Sequence, residues 1–344
     1  MIGTQQQIQE LKKILSHNVL KIGIIAHQNP DADAFGSILS LCYYLRKKGH
    51  QVQPISPTIY PVFLEWMNSK KEVLIHESEQ KEEVETFLQQ ADILFCLDFS
   101  SYNRLKGLDK AFRESKATKI VIDHHLDSNI EADYSLIHTE AAATAELIYT
   151  FIEAMGDVDL IDVPIGEFIY AGIVTDTGSF KYPATTPRVH TIAADLIRLG
   201  VNHHKIHQVI YDNNTESRLR FLGYLLSHKL TVLAQFRTAY ILVSDDELRR
   251  FGYQTGDTEG VVNYALSIKN IVMAIMLIER PEGIKISFRS RGDFAVNDFA
   301  RNYFSGGGHQ NAAGGISHES LKNTEQKILK LLPQYEKQLK ETIL

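Results

Sequence analysis

Short apolar runs that alternate with amphipathic segments constrain the fold of this chain more than any other feature. Three runs rich in β-branched residues predict buried strands: VLKIGIIAH (19–27), ADILFCLDFS (91–100) and ATKIVIDHH (117–125). Apolar residues at helical spacing predict helices over residues 5–17, 34–50, 141–156 and 165–178. Strands that alternate with helices form a parallel sheet with helices on both faces. We therefore expect an α/β fold.

The order of these patterns predicts two domains in the 344 residues. A polar stretch, DNNTES (212–217), leads into strand-like runs and then into the glycine-rich segment SGGGHQNAAGG (305–315). We expect a first domain over residues 1–195, a helical linker over 196–220 and a smaller α/β domain over 221–344. The last 25 residues predict a charged amphipathic helix that is interrupted at Pro333.

Charge and composition narrow the classes of protein that fit. The formal net charge is −6, whereas proteins that grip long duplexes carry a basic face. Cys42 and Cys96 each lie in an apolar run, which indicates buried free thiols in a reducing compartment. The N-terminus lacks the pattern of a signal peptide, and no stretch of about 18 apolar residues predicts a membrane span. We expect a cytoplasmic protein that binds neither membranes nor long duplexes.

Acidic and histidine residues cluster in four segments, each at or just after an apolar element. They are His27, Asp31 and Asp33 in AHQNPDADAFGS, Asp98 in LDFS, Asp123, His124 and His125 in IDHH, and Asp176 in GIVTDTGSF. Each alone has an ordinary explanation, because aspartates after strands often cap the following helix. Together they would meet at one edge of the sheet, where ligands of such folds bind. Like charges brought together there are costly unless cations compensate them.

Two divalent cations would balance these charges. Four aspartates, at positions 31, 33, 98 and 176, supply four negative charges. Mixed carboxylate and imidazole ligands favour Mn²⁺ over Ca²⁺, and the scarcity of thiolates argues against structural Zn²⁺. A pair of such metals generates a hydroxide that attacks phosphorus. The residues therefore favour a two-metal hydrolase of phosphate esters.

The strings HQNPDADAFGS, DHH and TDTGSF resemble motifs of the DHH superfamily of phosphoesterases. This superfamily includes RecJ exonucleases, family II pyrophosphatases and small oligoribonucleases of the NrnA type. The segment SGGGHQNAAGG resembles the GGGH motif of the DHH-associated C-terminal domain. The resemblance covers most of the chain. It implies a parallel-sheet DHH domain that binds metals, a smaller domain that binds substrate, and an active site in the cleft between them.

Carried over motif by motif, the resemblance implies roles for single residues of the first domain. His27 and Asp31 would ligate one metal ion, and Asp33, His124 and Asp176 would ligate the other. Asp98 would bridge the two metals from a solvent-facing strand end. Asp123 would orient a histidine ligand through a hydrogen bond. His125 would contact the phosphate or protonate the leaving oxygen, and a purely hydrogen-bonding role for it stays open.

The resemblance assigns the second domain to the substrate. The predicted contacts are Arg289, Arg291, Asn297, Gly306, Gly307, Gly308 and His309. A glycine run can be a flexible loop, or it can let backbone N–H groups approach a phosphate closely. The arginines and the histidine beside the run favour the second interpretation. Asn297 would either join these contacts or cap a helix.

Within the superfamily, the chain resembles the stand-alone NrnA type. It has little room for the extra domains of RecJ, and it lacks the basic Arg-Lys-Lys motif of family II pyrophosphatases. Its DHH module starts near residue 20, without the transmembrane and sensor segments of cyclic-dinucleotide phosphodiesterases. The resemblance implies release of mononucleotides from short oligonucleotides and removal of the 3′-phosphate from 3′-phosphoadenosine 5′-phosphate (PAP). The alternative is a phosphodiesterase for dinucleotide signals such as cyclic di-AMP, pApA and pGpG. Assembly into a homodimer stays open.

Overall fold

The chain divides into two compact units, Met1–Asn213 and Asn214–Leu344. The computed structural model describes residues 2–99, 101–125, 129–254 and 256–343. The division falls inside DNNTES, within the predicted linker, and the first unit keeps two helices that reach beyond the predicted boundary at residue 195. Ser100, the predicted end of one strand, lies outside the described residues.

A six-stranded sheet forms the centre of the first unit, in the order β3-β2-β1-β4-β5-β6. Its strands are β1 (Lys21–Ile25), β2 (Gln51–Ser56), β3 (Leu74–Ile75), β4 (Ile93–Leu97), β5 (Thr118–Asp123) and β6 (Tyr134–Ile137). Every neighbouring pair is parallel. The predicted parallel sheet is therefore confirmed. Chain order reverses between β1 and β4, which is where sheets of this kind bind ligands at the carboxyl ends of their strands.

Helices cover both faces of this sheet, as predicted. They are α1 (Gln5–His17), α2 (Ala32–Lys47), α3 (Lys81–Gln90), α4 (Asp109–Glu114), α5 (Thr144–Met155), α6 (Val163–Asp176), α7 (Pro187–Leu199) and α8 (His203–Tyr211). On one face, Ile24 and Phe95 share a core with α2, α5 and α6. On the other, Ile25 and Cys96 pack with residues of α3 and α4. The alternation of neighbouring strand residues between two cores explains why the strands are apolar throughout.

Two glycines let α2 and α6 approach each other closely. A side chain at Gly36 in α2 would collide with the backbone of Phe168 in α6. A side chain at Gly172 in α6 would collide with Asp33 in the first turn of α2. The absence of a Cβ at these positions therefore sets the spacing between two helices that carry acidic residues of the predicted site.

The second unit is a mixed sheet in the order β11-β12-β10-β9-β8-β7. Its strands are β7 (Leu230–Leu233), β8 (Thr238–Val243), β9 (Met273–Arg280), β10 (Gly283–Ser290), β11 (Gly307–His309) and β12 (Ala312–Ser317). Its helices are α9 (Glu216–Tyr224), α10 (Asp245–Arg250), α11 (Val261–Leu266), α12 (Val296–Phe304) and α13 (Leu321–Glu341). Strands β8 and β9 are parallel and the other pairs are antiparallel. This confirms the predicted smaller α/β domain.

The predicted interruption at Pro333 is wrong, because α13 continues through this residue. A proline inside a helix costs about 3 kcal/mol, since it removes one backbone hydrogen bond and crowds the preceding turn. Ile328, Leu332 and Leu339 are buried on both sides of it. Burial of each such side chain contributes about 1.5–3 kcal/mol, so packing outweighs the cost of the proline.

Among the described residues, no helix combines the length and the apolar character that crossing a membrane requires.

Candidate metal centre

The predicted metal ligands follow strands or lie at helix ends of the first unit. His27 follows β1, Asp98 follows β4, and His124 follows β5. Asp31 is the N-cap residue of α2, and Asp33 lies in the first turn of that helix. Asp176 is the last residue of α6, so a helix and not a strand delivers it. Because β1, β4 and β5 are neighbours in a parallel sheet, their carboxyl ends bring His27, Asp98 and His124 to one edge of the sheet.

The carboxylate of Asp98 lies between two groups of side chains. Its Oδ2 is 3.5 Å from Nε2 of His27, whereas its Oδ1 is 3.4 Å from Nε2 of His124. The expectation that Asp98 faces solvent is wrong, since the residue is only 2% exposed. It follows β4 in a left-handed conformation with φ of 65°, and His27, His124 and Thr144 surround its carboxylate. Each of its oxygens therefore serves a different set of neighbours.

Among the described residues, several groups of three side chains could hold a metal ion, and two of these groups contain the six predicted ligands. In the first, His27, Asp31 and Asp98 offer ligand atoms that all lie within 4.8 Å of one another. Asp33, His124 and Asp176 form the second group by the same measure. In it, Nε2 of His124 is 3.5 Å from Oδ2 of Asp176 and 3.9 Å from Oδ2 of Asp33. The structure thus brings together the six residues that the sequence analysis selected.

Asp31 caps a helix and also has the position of a metal ligand, two roles that the sequence left as alternatives. Its Oδ1 accepts the backbone N–H groups of Asp33 and Ala34, each at 3.0 Å. Its Oδ2 faces His27 instead, at 3.9 Å from Nε2 of that residue. One oxygen caps α2 and leaves the other available to a cation, so the two interpretations are compatible.

Asp33 is completely buried and caps a helix other than its own. Its Oδ2 accepts the N–H of Thr144 at 2.6 Å, and its Oδ1 accepts the N–H of Ala145 at 2.8 Å. The hydroxyl of Thr144 also donates to Oδ1 of Asp98 at 2.8 Å. The sequence analysis missed Thr144. The three alanines before Thr144 gave no local indication of this role.

Two different acceptors hold the two histidines of the DHH tripeptide. Nδ1 of His124 donates to the carbonyl of Ala141 at 3.1 Å, which directs Nε2 toward the ligand group. Asp123 was expected to orient a histidine ligand, but its Oδ1 accepts from Nδ1 and from the backbone N–H of His125, at 2.8 and 3.1 Å. The histidine that Asp123 orients is therefore the predicted acid, because the carbonyl of Ala141 already holds His124.

Electrostatics support cation binding by this cluster. Burial and the charges of Asp98 and Asp176 raise the pKa of Asp33 well above its usual range. Burial and the nearby Asp31 raise the pKa of Asp176 to about 8. Burial opposes the charge of His124, but the hydrogen bond to Asp98 and the acidic neighbours raise its pKa well above normal. The raised pKa values favour protons on these groups when no cation is bound, and cations can replace those protons.

The surroundings shift the pKa values of Asp98 and His125 in opposite directions. Burial disfavours the Asp98 carboxylate, yet hydrogen bonds from His124 and His27 keep its pKa well below the usual value. Burial also disfavours protonated His125, whereas its hydrogen bond to Asp123 and the charge of Asp98 raise its pKa. An ionised Asp98 is suited to ligation, and a protonated His125 is suited to proton donation.

In the second unit, Arg289 and His309 lie in one row across the sheet. Arg289 in β10 pairs with Ala312 in β12, and Ala312 pairs with His309 in β11. Directly opposed residues of antiparallel strands share a face, so both side chains extend from the same face with a small alanine between them. Phe288, the neighbour of Arg289, belongs to the core on the opposite face. Two of the predicted substrate contacts therefore lie on the same face of the sheet, two strands apart.

The glycine-rich segment is not a free loop, because it forms β11 and part of β12. A side chain at Gly306 would collide with the carbonyl of Gly314, and one at Gly308 would come within 2.5 Å of the carbonyl of Ala312. Among the described atoms, none lies within 4 Å of a Cβ built at Gly307. Packing therefore explains two of the three glycines and leaves open space beside the third.

The remaining candidates of this unit are placed less distinctly. Asn297 is not the N-cap of α12, since that position belongs to Ala295. Its Oδ1 accepts the N–H of the next residue, Asp298, at 3.0 Å, and its side chain is buried. Arg291 is half-buried just after β10, and its backbone N–H donates to the carbonyl of Val272.

Comparisons with known proteins agree with this architecture. The model of the DHH family N-terminal domain matches residues 21–173, and that of the DHHA1 domain matches residues 235–339. An exopolyphosphatase-related protein from Bacteroides fragilis has 36% sequence identity to this chain. Its crystal structure matches with a TM-score of 0.93 over 98% of each chain. The bifunctional oligoribonuclease and PAP phosphatase NrnA of Bacillus subtilis (strain 168) is 27% identical over 289 residues, which span 84% of this chain and 86% of that protein.

A more distant relative shares the fold. RecJ from Thermus thermophilus, crystallised in complex with Mn²⁺, has a TM-score of 0.57 at 13% identity. The match covers 98% of this chain and 55% of that one. The fold and the site together define a hydrolase of the phosphoesterase class. The chain belongs to the DHH family and carries a DHHA1 domain in its second unit.

Proposed function

We propose that this hydrolase is a manganese-dependent enzyme that degrades short oligonucleotides to mononucleotides and dephosphorylates PAP. The observation that carries the proposal is the position of Asp98, whose two carboxylate oxygens face two separate groups of ligand atoms. A bridging carboxylate of this kind suits a pair of divalent cations. The substrates are those in the name of the Bacillus subtilis relative, which aligns with most of this chain.

The ligand chemistry of the two groups fits Mn²⁺. His27, Asp31 and Oδ2 of Asp98 would hold one cation, while Asp33, His124, Asp176 and Oδ1 of Asp98 would hold the other. Each group mixes imidazole with carboxylate, whereas Ca²⁺ prefers oxygen ligands alone. When bound, two such cations supply a nucleophile at neutral pH and stabilise charge on the phosphoryl oxygens.

His125 would give a proton to the leaving oxygen. Asp123 holds Nδ1 of His125, so the ring presents Nε2 as the atom that donates. Protonation is favoured because the pKa of His125 is raised by Asp123 and Asp98 against the effect of burial. The side chain is 23% exposed, unlike the buried His124, so a substrate can reach it.

Arg289 and His309 would bind the nucleotide. Their shared row on one face of the second sheet offers a guanidinium and an imidazole to a phosphate or a base edge. The open space at Gly307 would let the strand backbone approach the same ligand. This division gives the first unit the reaction and the second unit the selection of substrate.

A panel of substrates tests the proposal. The purified full-length chain, stripped of metal by a chelator, should be inactive and should recover with Mn²⁺. Linear pApA and PAP should be hydrolysed faster than cyclic di-AMP, inorganic polyphosphate or duplex DNA. Preference for cyclic di-AMP would favour a role in dinucleotide signalling, and preference for polyphosphate would contradict a nucleotide substrate. Full activity in excess chelator would contradict the metal-dependent mechanism.

A matched pair of variants of β4 controls this experiment. Asp98→Asn removes the charge of the bridging carboxylate and should abolish turnover. Asp92 lies just before the same strand, at its other end, where its carboxylate accepts the N–H of Lys21. Asp92→Asn should leave turnover unchanged. Loss of activity in both variants would mean that the strand, and not the ligand, had been damaged.

A further inference from the structure

The turn before α5 and the first residues of that helix (the AAATAE segment, 141–146) contact three predicted metal ligands. The N-cap position of α5 is Ala143, which has no side chain to accept a hydrogen bond. The N–H groups of Thr144 and Ala145 are instead taken by the two oxygens of Asp33, at 2.6 and 2.8 Å. A helix N-terminus stabilises a carboxylate through these N–H groups and its dipole. The segment therefore fixes both oxygens of Asp33.

The side chain of Thr144 reaches a second ligand. Its hydroxyl is buried and donates to Oδ1 of Asp98 at 2.8 Å. This is the oxygen that lies 3.4 Å from Nε2 of His124, while Oδ2 of the same carboxylate faces His27. An ionised carboxylate only accepts, so the hydroxyl proton must point toward it. One hydrogen bond thus restrains rotation of the Asp98 carboxylate about its Cβ–Cγ bond.

The rest of the segment holds the third ligand and the turn itself. The carbonyl of Ala141 accepts from Nδ1 of His124 at 3.1 Å. Oε2 of Glu146 accepts the N–H of Ala142 at 2.8 Å, which ties the turn back to the helix that follows it. Asp33, Asp98 and His124 come from a helix and from two different strand ends. Hydrogen bonds to this one short segment therefore hold all three side chains.

We propose that the AAATAE segment positions the metal ligands, and that the hydroxyl of Thr144 is the positioning group that holds Asp98 with one oxygen toward each ligand group. The proposal rests on the proposed function, since it takes these groups to be the metal sites. Thr144 touches neither substrate nor metal in this assignment. Its role is to keep the bridging carboxylate in one orientation before metals bind.

Removal of the hydroxyl should weaken metal binding without unfolding the protein. Thr144→Val keeps the shape and both backbone hydrogen bonds to Asp33 but cannot donate to Asp98. Loss of a group that orients a metal ligand costs about 10- to 100-fold in metal affinity. We expect a loss of that size in Mn²⁺ affinity, measured by isothermal titration calorimetry on metal-free protein, and a lower kcat on pApA. KM should change less, because the substrate contacts are elsewhere.

Conservative and matched variants separate positioning from general damage. Thr144→Ser keeps the hydroxyl and should bind Mn²⁺ within about threefold of the unmodified chain, since the orienting bond survives. Thr144→Ala removes the hydroxyl without adding a methyl group, so it decides the question if the valine variant fails to fold. Thr150 lies on the same helix, and its hydroxyl donates to the backbone carbonyl of Glu146 at 2.9 Å. Thr150→Val should bind Mn²⁺ normally.

The outcomes distinguish this inference from the proposed function. If the unmodified chain binds Mn²⁺ and hydrolyses pApA, and the valine and alanine variants do so equally well, the positioning role is overturned and the function stands. Equal losses in Thr144→Ser and Thr144→Val would also overturn it, because the hydroxyl would not be the important group. If the unmodified chain binds no Mn²⁺, the function fails and the positioning role fails with it.

Discussion

Gly172 in α6 lies against the carboxylate of Asp33 in α2: a methyl group at Gly172 would stand 2.7 Å from Oδ1 of Asp33 and 2.6 Å from Cβ of Ala145. The packing of two helices and the placement of a predicted metal ligand therefore depend on the same missing side chain. A change at this position tests both.

We expect Gly172→Ala to destabilise the chain by about 1–3 kcal/mol, because the added methyl group forces α6 away from its neighbours. Turnover should fall by about 10- to 100-fold as Asp33 is displaced. Denaturant unfolding and turnover of pApA measure the two effects. Gly223 in α9 is the control, since no described atom lies within 4 Å of a Cβ built there. Gly223→Ala should stabilise the chain by about 0.4–1 kcal/mol, and normal activity in Gly172→Ala would contradict the close approach.

Asp31 allows its two roles to be separated by two substitutions. Asparagine caps helices as well as aspartate does, so Asp31→Asn should keep the stability of the metal-free chain. Asp31→Ala should lose about 1 kcal/mol, because the cap of α2 is gone. Both variants should bind Mn²⁺ more weakly, since both lack the carboxylate charge. Thermal unfolding and Mn²⁺ titration measure these effects, and unchanged Mn²⁺ binding in the asparagine variant would remove Asp31 from the ligand set.

Metal binding should release protons. Burial and neighbouring carboxylates raise the pKa of Asp33 well above normal and that of Asp176 to about 8, and acidic neighbours raise that of His124 against the effect of burial. These raised pKa values favour the protonated forms in the metal-free chain, and the groups must lose protons to become ligands, so Mn²⁺ affinity should fall as pH decreases. Calorimetric titration in buffers of different ionisation enthalpy measures the protons released. Binding without proton release would contradict the ligand assignment.

Substitutions in the second unit should impair activity on nucleotide substrates more than they impair metal binding. Arg289→Ala and His309→Ala remove charge-assisted contacts worth about 1.5–3 kcal/mol, or roughly ten- to hundredfold, on pApA and PAP. The loss on bis-p-nitrophenyl phosphate, which has no nucleoside, should be small. Bound Mn²⁺, measured by elemental analysis, should not change. His318, exposed just after β12, provides a control substitution without effect. Equal losses on all substrates would assign these residues to the reaction itself.

Asp157 should make stability depend on pH in the acid range. It accepts from Tyr44 at 2.5 Å and Lys48 at 2.8 Å, and these bonds lower its pKa against the effect of burial. A lowered pKa in the folded chain contributes stability that is complete above the unfolded pKa, about 4, and is lost as pH falls through the folded pKa. Asp157→Asn should lose about 1 kcal/mol at neutral pH and less in acid. Urea unfolding at several pH values measures this, with the exposed Asp159→Asn as the control.

The sequence predicted the strands and the candidate ligands because both depend on local patterns. Apolar runs that end in Asp98 or in the DHH tripeptide specify a strand and the residue at its end together. The burial of Asp98 and the role of Thr144 depend on contacts across the fold: Thr144 is 46 positions from Asp98 and 111 from Asp33. A local pattern contains no information about such partners, so the sequence analysis missed them.

The same limit applies to the second unit. The glycine run left a flexible loop open as one interpretation, but β11 pairs with β12, and β12 also pairs with β10. Pro333 predicts a break from local sterics, but packing on both sides keeps α13 continuous. In both cases a tertiary contact outweighed a local preference.

The strands at the edges of the parallel sheet are short: β3 has two residues and β6 has four. An edge strand exposes unpaired backbone groups on which a strand of another molecule can add. Two residues provide very few of these groups, and four provide little more. The sheet that carries the candidate metal centre is thus protected against edge-to-edge aggregation, even though its interior strands are strongly apolar.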